Sequence, residues 1–266
     1  GISSGALATD VWTNNTPSNV EVVYTLVPVG DNGCEGDPFT VTVTVNPEPV
    51  VEDQITDVCS DEALGYTISG DVDTPLVATY NLTSIVSTGL VGASGNQVVA
   101  DGISSGALAT DVWTNNTPSD IQVVYTLVPV GDNGCKGNSF TVTVTVNPEP
   151  VVANQPVEVC SDEPLGINFG SSSSVAATSY EITALTLNGL TVSAGGASEV
   201  GGLSASDLSD DAFTNITAFP VDVVYTVVPF TSANCEGNSF TVTVTVNPEP
   251  VVEDQITDVC SDEALG

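Results

Sequence analysis

Six cysteines are the residues in this 266-residue chain with the most evident capacity for chemistry, and they fall in two registers. Cys34, Cys135 and Cys235 share one register and Cys59, Cys160 and Cys260 the other, at intervals of 101 and then 100 residues. The chain has no histidine and no Cys-x-x-Cys pair, so neither a zinc site nor thioredoxin-type exchange fits them. Disulfides, or reduced thiols packed as small apolar groups, are the two readings left.

Acidic clusters come next. Asp31 with Glu35 and Asp37, Asp61 with Glu62, Asp71 with Asp73, Asp132, and Asp207 with Asp210 and Asp211 all sit in turn-rich stretches. Calcium needs about six to eight oxygens converging on one point, and none of these runs has EF-hand spacing. Asp31, Asp37, Asp61, Glu62, Asp71, Asp73 and Asp132 are the candidate ligands for calcium, the one cofactor under consideration; solvated turn residues are the plainer reading. Asn14, Asn81, Asn115 and Asn215 stand in Asn-x-Thr triplets, which a threonine-rich chain produces by chance. Catalysis has little to build on. Without histidine a serine or cysteine nucleophile lacks its usual base, and no lysine-bearing phosphate loop is present. The chain does not read as an enzyme.

Charge narrows the partners. There are 34 acidic residues against one base, Lys136, and the net charge is −33. Such a surface repels nucleic-acid phosphates and anionic membranes. No run of eighteen apolar residues exists to insert in a bilayer as a helix. Ion pairs cannot supply stability, so burial and strand pairing must.

The elements that position these groups are set by a stretch found three times. Phe140-Thr-Val-Thr-Val-Thr-Val146 runs into Asn147-Pro-Glu-Pro150, and the same eleven residues occupy 39–49 and 240–250. Phenylalanine and valine alternate with threonine, the pattern of a strand with one buried face. The prolines then end the ladder. Residues 1–46 match 102–147 and so form the C-terminal part of a repeat, 47–147 and 148–247 are full repeats, and 248–266 open another. Because Gly1 aligns with Gly102 and Gly266 with Gly65, the chain is expected to be a piece of a longer array. Within 47–147 the pattern predicts strands at 50–58, 65–69, 77–86, 97–100, 121–130 and 140–146. Residues 107–113 are expected to hold a strand or a helical turn. Gly131-Asp-Asn-Gly134 marks a tight turn. Short strands without helical periodicity predict an all-β, Ig-like β-sandwich for each repeat, with Trp12, Trp113 and, in the third copy, Phe213 in the core.

Tyr125-Thr-Leu-Val-Pro-Val-Gly-Asp-Asn-Gly-Cys135, the Thr-Val strand, Asn-Pro-Glu-Pro and Val159-Cys-Ser-Asp-Glu163 together resemble the PKD-like and Ig-like repeats of Bacteroidota surface proteins, such as SprB-type gliding-motility adhesins. The resemblance covers the whole chain, although no repeat carries the Trp-Asp-Phe-Gly-Asp-Gly run of PKD domains. It implies export by type IX secretion, an extracellular cell-surface location, and a stalk or filament segment that holds out an adhesive tip. Its partners would be neighbouring repeats, other copies in a filament, and an external surface or polysaccharide. A carbohydrate- or surface-binding array, or a spacer in a secreted enzyme, are the alternatives.

An exported chain is expected to oxidise its cysteines, and the family topology bears on their pairing. In an Ig-type sandwich the Cys135 turn lies at a repeat's leading end and the Cys59 turn at its trailing end. A seven-residue strand of about 23 Å separates them. Cys59 would then meet Cys235 of the next repeat. The rival is reversal at Asn-Pro-Glu-Pro, pairing Cys34 with Cys59, Cys135 with Cys160 and Cys235 with Cys260, each 25 apart. Both remain open at this stage.

Overall fold

A computed structural model describes residues 2–3, 5–70, 76–170, 175–196 and 201–250, together with 252, 256, 258 and 261. The chain divides into two compact units, Gly1–Pro148 and Glu149–Gly266. Both are built from strands.

In the first unit the strands are β1 (Val20–Leu26), β2 (Phe39–Val45), β3 (Gln54–Cys59), β4 (Val77–Val86), β5 (Val91–Gly92), β6 (Ala100–Ile103), β7 (Trp113–Thr114), β8 (Ile121–Gly131) and β9 (Phe140–Asn147). β1 and β2 form a separate antiparallel hairpin, while β3, β9, β8, β4 and β6 lie side by side in one sheet. β5 pairs with β7. β9 runs antiparallel to β8, with Leu127 opposite Phe140 and Ile121 opposite Val146. β3 lies parallel to β9 on its other edge, which sets Cys59 opposite Asn147. The second unit repeats the plan with β10 (Gln155–Cys160), β11 (Ser179–Thr186), β12 (Thr191–Ala194), β13 (Ala212–Thr214), β14 (Val221–Phe230) and β15 (Phe240–Asn247). Its main sheet has the order β10, β15, β14, β11.

The alternation read from sequence sets the two faces of the sheet. Phe140, Val142, Val144 and Val146 are buried with Val123, Tyr125 and Leu127 of β8, and Leu64, Ile68, Leu108 and Trp113 pack against them. Thr141, Thr143 and Thr145 face the other way and are half-buried. The second core has the same frame, with Phe169, Tyr180 and Phe240 clustered edge to face or tilted. Residues 1–46 carry counterparts of β8 and β9 as β1 and β2. Contrary to the core placement expected for it, Trp12 is 51% exposed where Trp113 is 6%, and Phe39 is 49% exposed where Phe140 is 3%.

Three expected strands differ. The first begins at Gln54, not at residue 50, because the Asp53 carboxylate takes the place of a ladder acceptor. It receives the Thr141 N–H at 2.6 Å and the Thr141 hydroxyl at 3.0 Å. Asn154 does the same for the Thr241 N–H in the second unit. Residues 65–69 form no strand. The Leu64, Gly65 and Ile68 N–H groups instead reach the carbonyls of Asp111, Ala109 and Ser105 around a 3₁₀ turn at Ala107–Thr110, whose spacing fits no ladder. The strand expected at 97–100 lies at Ala100–Ile103, since the Gln97 N–H is bound to Asp111.

Both tryptophans lie in the first unit, so their fluorescence reports its unfolding. Leu127→Ala should lower that unit's stability in urea by about 2–5 kcal/mol. Val98→Thr, at an exposed position, should change it by no more than about 0.5 kcal/mol.

Candidate functional site at the repeat ends

The residues singled out in the sequence gather at opposite ends of each repeat. At the trailing end, next to Cys59, the Ser60 N–H donates to the Asn147 carbonyl at 2.8 Å and the Asp61 N–H to the Trp113 carbonyl at 3.0 Å. Asp61 holds a positive φ of 62°, and its carboxylate accepts the Thr114 hydroxyl. The Ser60 hydroxyl accepts the Asn115 N–H at 2.9 Å. The Asn115 side chain finishes the lock: its amide donates to the Val146 and Ser119 carbonyls, and its oxygen accepts from the Thr117 N–H and hydroxyl. Ser161, Asp162, Thr214, Asn215 and Thr217 repeat this arrangement. The Thr214 hydroxyl, donating to Asp162, is the chief cause of a carboxyl held below its ordinary range. Asn115 and Asn215 are therefore buried backbone clamps. Asn14 makes the same two carbonyl contacts in the first repeat, and Asn81, also buried, accepts the Gly102 N–H.

At the leading end the Gly131–Gly134 turn forms as read. The Gly134 N–H donates to Gly131 and the Asn133 side chain accepts the Cys135 N–H at 2.9 Å. In the third repeat Asn234 takes the positive-φ position of Gly134, and the Thr231 hydroxyl replaces the Asn133 acceptor. This loop also clasps the chain that enters its repeat. The Asn133 amide donates to the Pro47 carbonyl at 3.1 Å. Gly137 lies so close to Pro49 that a Cβ there would collide with the Pro49 carbonyl oxygen, and Gly237 stands in the same relation to Pro150. The Pro-Glu-Pro connector is thus seated against the repeat that follows it.

Between the ends lies a polar chain that sequence reading had treated only as packing. The Trp113 indole N–H donates to the Tyr125 hydroxyl at 2.7 Å, and that hydroxyl donates to Asp111 at 2.7 Å. The other Asp111 oxygen accepts the Gln97 N–H at 2.7 Å. Burial pushes the Asp111 carboxyl above its ordinary range, and the Gln97 and Tyr125 donors pull it part of the way back. Burial, and then the bond to Asp111, raise Tyr125 far above the ordinary tyrosine range. Tyr225 and Asp211 keep this pair at 2.8 Å beside Phe213, and Tyr24 with Asp10 and Trp12 keeps all three members. The signal available was the constant spacing of the Asp, aromatic and Tyr positions in all three copies.

Cys59 and Cys235 are disulfide-bonded. Cys34, Cys135 and Cys160 carry free thiols, so Cys34 is not bonded to Cys59 nor Cys135 to Cys160. Cys260, Asp71 and Asp73 lie outside the described residues. Asp31, Asp37 and Asp132 are exposed in the leading-end loops, and Asp61 and Glu62 are exposed at the trailing end. Among the described residues no three His, Cys, Asp or Glu side chains converge to hold a metal ion, and no helix is long and apolar enough to cross a membrane.

Repeated all-β modules with a parallel strand closing one edge and a buried aromatic-lined core define an Ig-like class of domain. The chain belongs to the PKD-like domain family, which matches residues 1–49, 56–150 and 157–250. No curated protein matches it. Among solved structures it is similar to a mouse clustered protocadherin fragment, PcdhgC3 EC1-3, with 15% identity, TM-score 0.29, and 88% of this chain and 78% of that one covered. The D00-D0 domain of intimin is another, with 13% identity, TM-score 0.27 and coverage of 75% and 98%. A third is Bacteroides ovatus SGBP-B of a mixed-linkage glucan utilization locus, in complex with a mixed-linkage heptasaccharide, with 13% identity, TM-score 0.21 and coverage of 76% and 48%.

Two predictions test these networks. A carboxyl raised on folding favours the folded state below its unfolded value, and that gain is lost as pH rises through the raised value. First-unit stability should accordingly rise on acidification from neutral pH towards the ordinary aspartate value of 3.8. Asp111→Asn should flatten that rise, as read from urea midpoints across the pH range. Separately, Gly137→Ala should cost about 1–3 kcal/mol through the collision with Pro49. Gly106→Ala, in open space, should stay within about 0.5 kcal/mol.

Proposed function

We propose that the chain is a stalk segment of a large secreted cell-surface adhesin, of the SprB-like kind found in Bacteroidota and exported by type IX secretion, and that it is not an enzyme. Residues 47–147 and 148–247 act as successive repeats, 1–46 completes the one before, and 248–266 opens the one after. The role is mechanical: the array extends an adhesive tip for gliding or attachment. The seating of Pro47–Pro49 and of Pro150 on the loop of the following repeat carries this reading, because a connector so held cannot swing freely. Proline adds stiffness of its own.

The disulfide in this reading links Cys59, at the trailing end of its repeat, to Cys235, at the leading end of the next. Its support is that both are oxidised while their in-register counterparts Cys160 and Cys135 are not. Partners are therefore first of all other repeats of the chain, and then other copies in a filament and an external surface or polysaccharide. Non-reducing peptide mapping of the secreted protein should recover Cys59 and Cys235 in one linked peptide. Small-angle scattering should give a stiff rod that loosens on reduction. A hinged profile in the oxidised protein, or a Cys34–Cys59 peptide, would sink the stalk reading.

A further inference from the structure

Tension along a repeat enters at its first strand and leaves at its last. We infer that the Cys59–Cys235 disulfide is a load bypass, which passes that tension from one repeat into the next and leaves residues 60–234 unstretched. The bypass rests on the stalk reading, from which it takes both the tension and the pairing of these cysteines. Without the bond, the pull would follow the backbone. The connector ending at Pro49 leads into β3, and β9 leads out through Asn147 to the next connector. β3 and β9 are parallel neighbours, paired from Gln54 opposite Val142 to Cys59 opposite Asn147. Pulling on the start of β3 and the end of β9 slides one strand along the other and loads their hydrogen bonds together. Asp53, holding the Thr141 N–H at 2.6 Å, reinforces the end where the pull enters. β10 and β15 repeat the plan, with Asn154 on the Thr241 N–H. β1 and β2 are the contrast. Val20 and Val45 face each other at the end where the chain leaves the pair, so the same pull unzips them bond by bond.

The disulfide opens a shorter route. Cys59 is the last residue of β3, and Cys235 stands shortly before β15. Tension can run along β3, across the bond, and from Cys235 along β15 to the following connector. Residues 60–234 hold β4 to β14 and most of both cores, and they lie inside the loop that the bond closes. A segment inside a covalently closed loop adds nothing to the length between the two ends of the chain. The Asp111–Tyr125 and Asp211–Tyr225 pairs and the Asn115 and Asn215 clamps are then spared the pull. Cys34, Cys135 and Cys160 are free thiols, so this one bond sets the route. Reduction undoes it. A dithiol takes both sulfurs to thiols and is itself oxidised to a disulfide, and the pull returns to the β3–β9 and β10–β15 pairs.

Single-molecule force spectroscopy on the 266-residue chain, tethered by its two ends, tests the bypass before and after reduction with dithiothreitol. The oxidised chain should gain length only from residues outside 60–234. The reduced chain, and Cys235→Ser without reductant, should show two further openings that together add on the order of 600 Å. In the reduced chain Asp53→Ala should lower the force of one opening and Asn154→Ala that of the other. In the oxidised chain neither substitution should register. Release of the 60–234 length by the oxidised chain overturns the bypass. So does a reduced chain that gains no length, or one whose repeats open at the force of the β1–β2 hairpin. A hinged scattering profile from an oxidised chain that still withholds 60–234 counts against the stalk alone; a stiff chain that releases it counts against the bypass alone.

Discussion

A chain with net charge −33 and one lysine has almost no opposite charges to pair, and its fold depends on how completely the phenylalanine and valine face of β9 and β15 is buried. Those strands supply four core residues each, and each is hydrogen-bonded on both edges, antiparallel to one neighbour and parallel to the other. β-Branched side chains suit this place because they are stiff at χ1 and fill the pleated surface. Burial of such a face contributes regardless of salt, whereas the repulsion among surface carboxylates weakens as salt is added. In both main sheets this strand joins the parallel edge strand to the antiparallel ladder while its phenylalanine and valine face fills the core.

Burying tyrosine, aspartate and asparagine in such a core is costly unless each polar atom finds a partner. Among the described residues no buried side-chain nitrogen or oxygen lacks one. The networks also divide the labour. Asp111, Tyr125 and Trp113 tie the loop after β6 to the sheet, while Ser60, Asp61 and Asn115 tie the start of the repeat to the end of β9. Exchange of Trp113 for Phe213 removes one donor and leaves the Tyr225–Asp211 bond intact, so the tyrosine–aspartate pair is the part that the fold needs.

Much of this was legible in the sequence. Period-2 alternation gave β4, β8 and β9 within a residue or so, and the glycine-rich turn gave the β8–β9 connection, because in each case the deciding interactions are local. What escaped shares a different cause. Asp53 standing in for a ladder acceptor, and the segment at 65–69 bonding to a 3₁₀ turn, depend on partners far along the chain that no local pattern reveals. The Asn-x-Thr triplets were read as chance products of a threonine-rich chain, yet those at 14, 115 and 215 are turn clamps in which the asparagine oxygen accepts the hydroxyl and N–H of the threonine two residues later. For the acidic runs, the sequence showed proximity along the chain; convergence of their oxygens was a separate question of geometry.

The placement of the connector explains how such a molecule can lengthen. The loop that clasps Pro49 lies in the same repeat that the connector enters, and Gly237 keeps the same relation to Pro150 despite the divergence of the third repeat. The second and third copies therefore each carry a receiving surface for the Pro-Glu-Pro that precedes them. Duplicating one period duplicates both halves of a joint, so no new complementarity has to arise with each added repeat. Divergence is then tolerated wherever it leaves three things alone: the buried face of the last strand, the glycine beneath the connector, and the asparagine clamp. The third repeat changes its tryptophan, its turn and its first-half sequence while keeping all three.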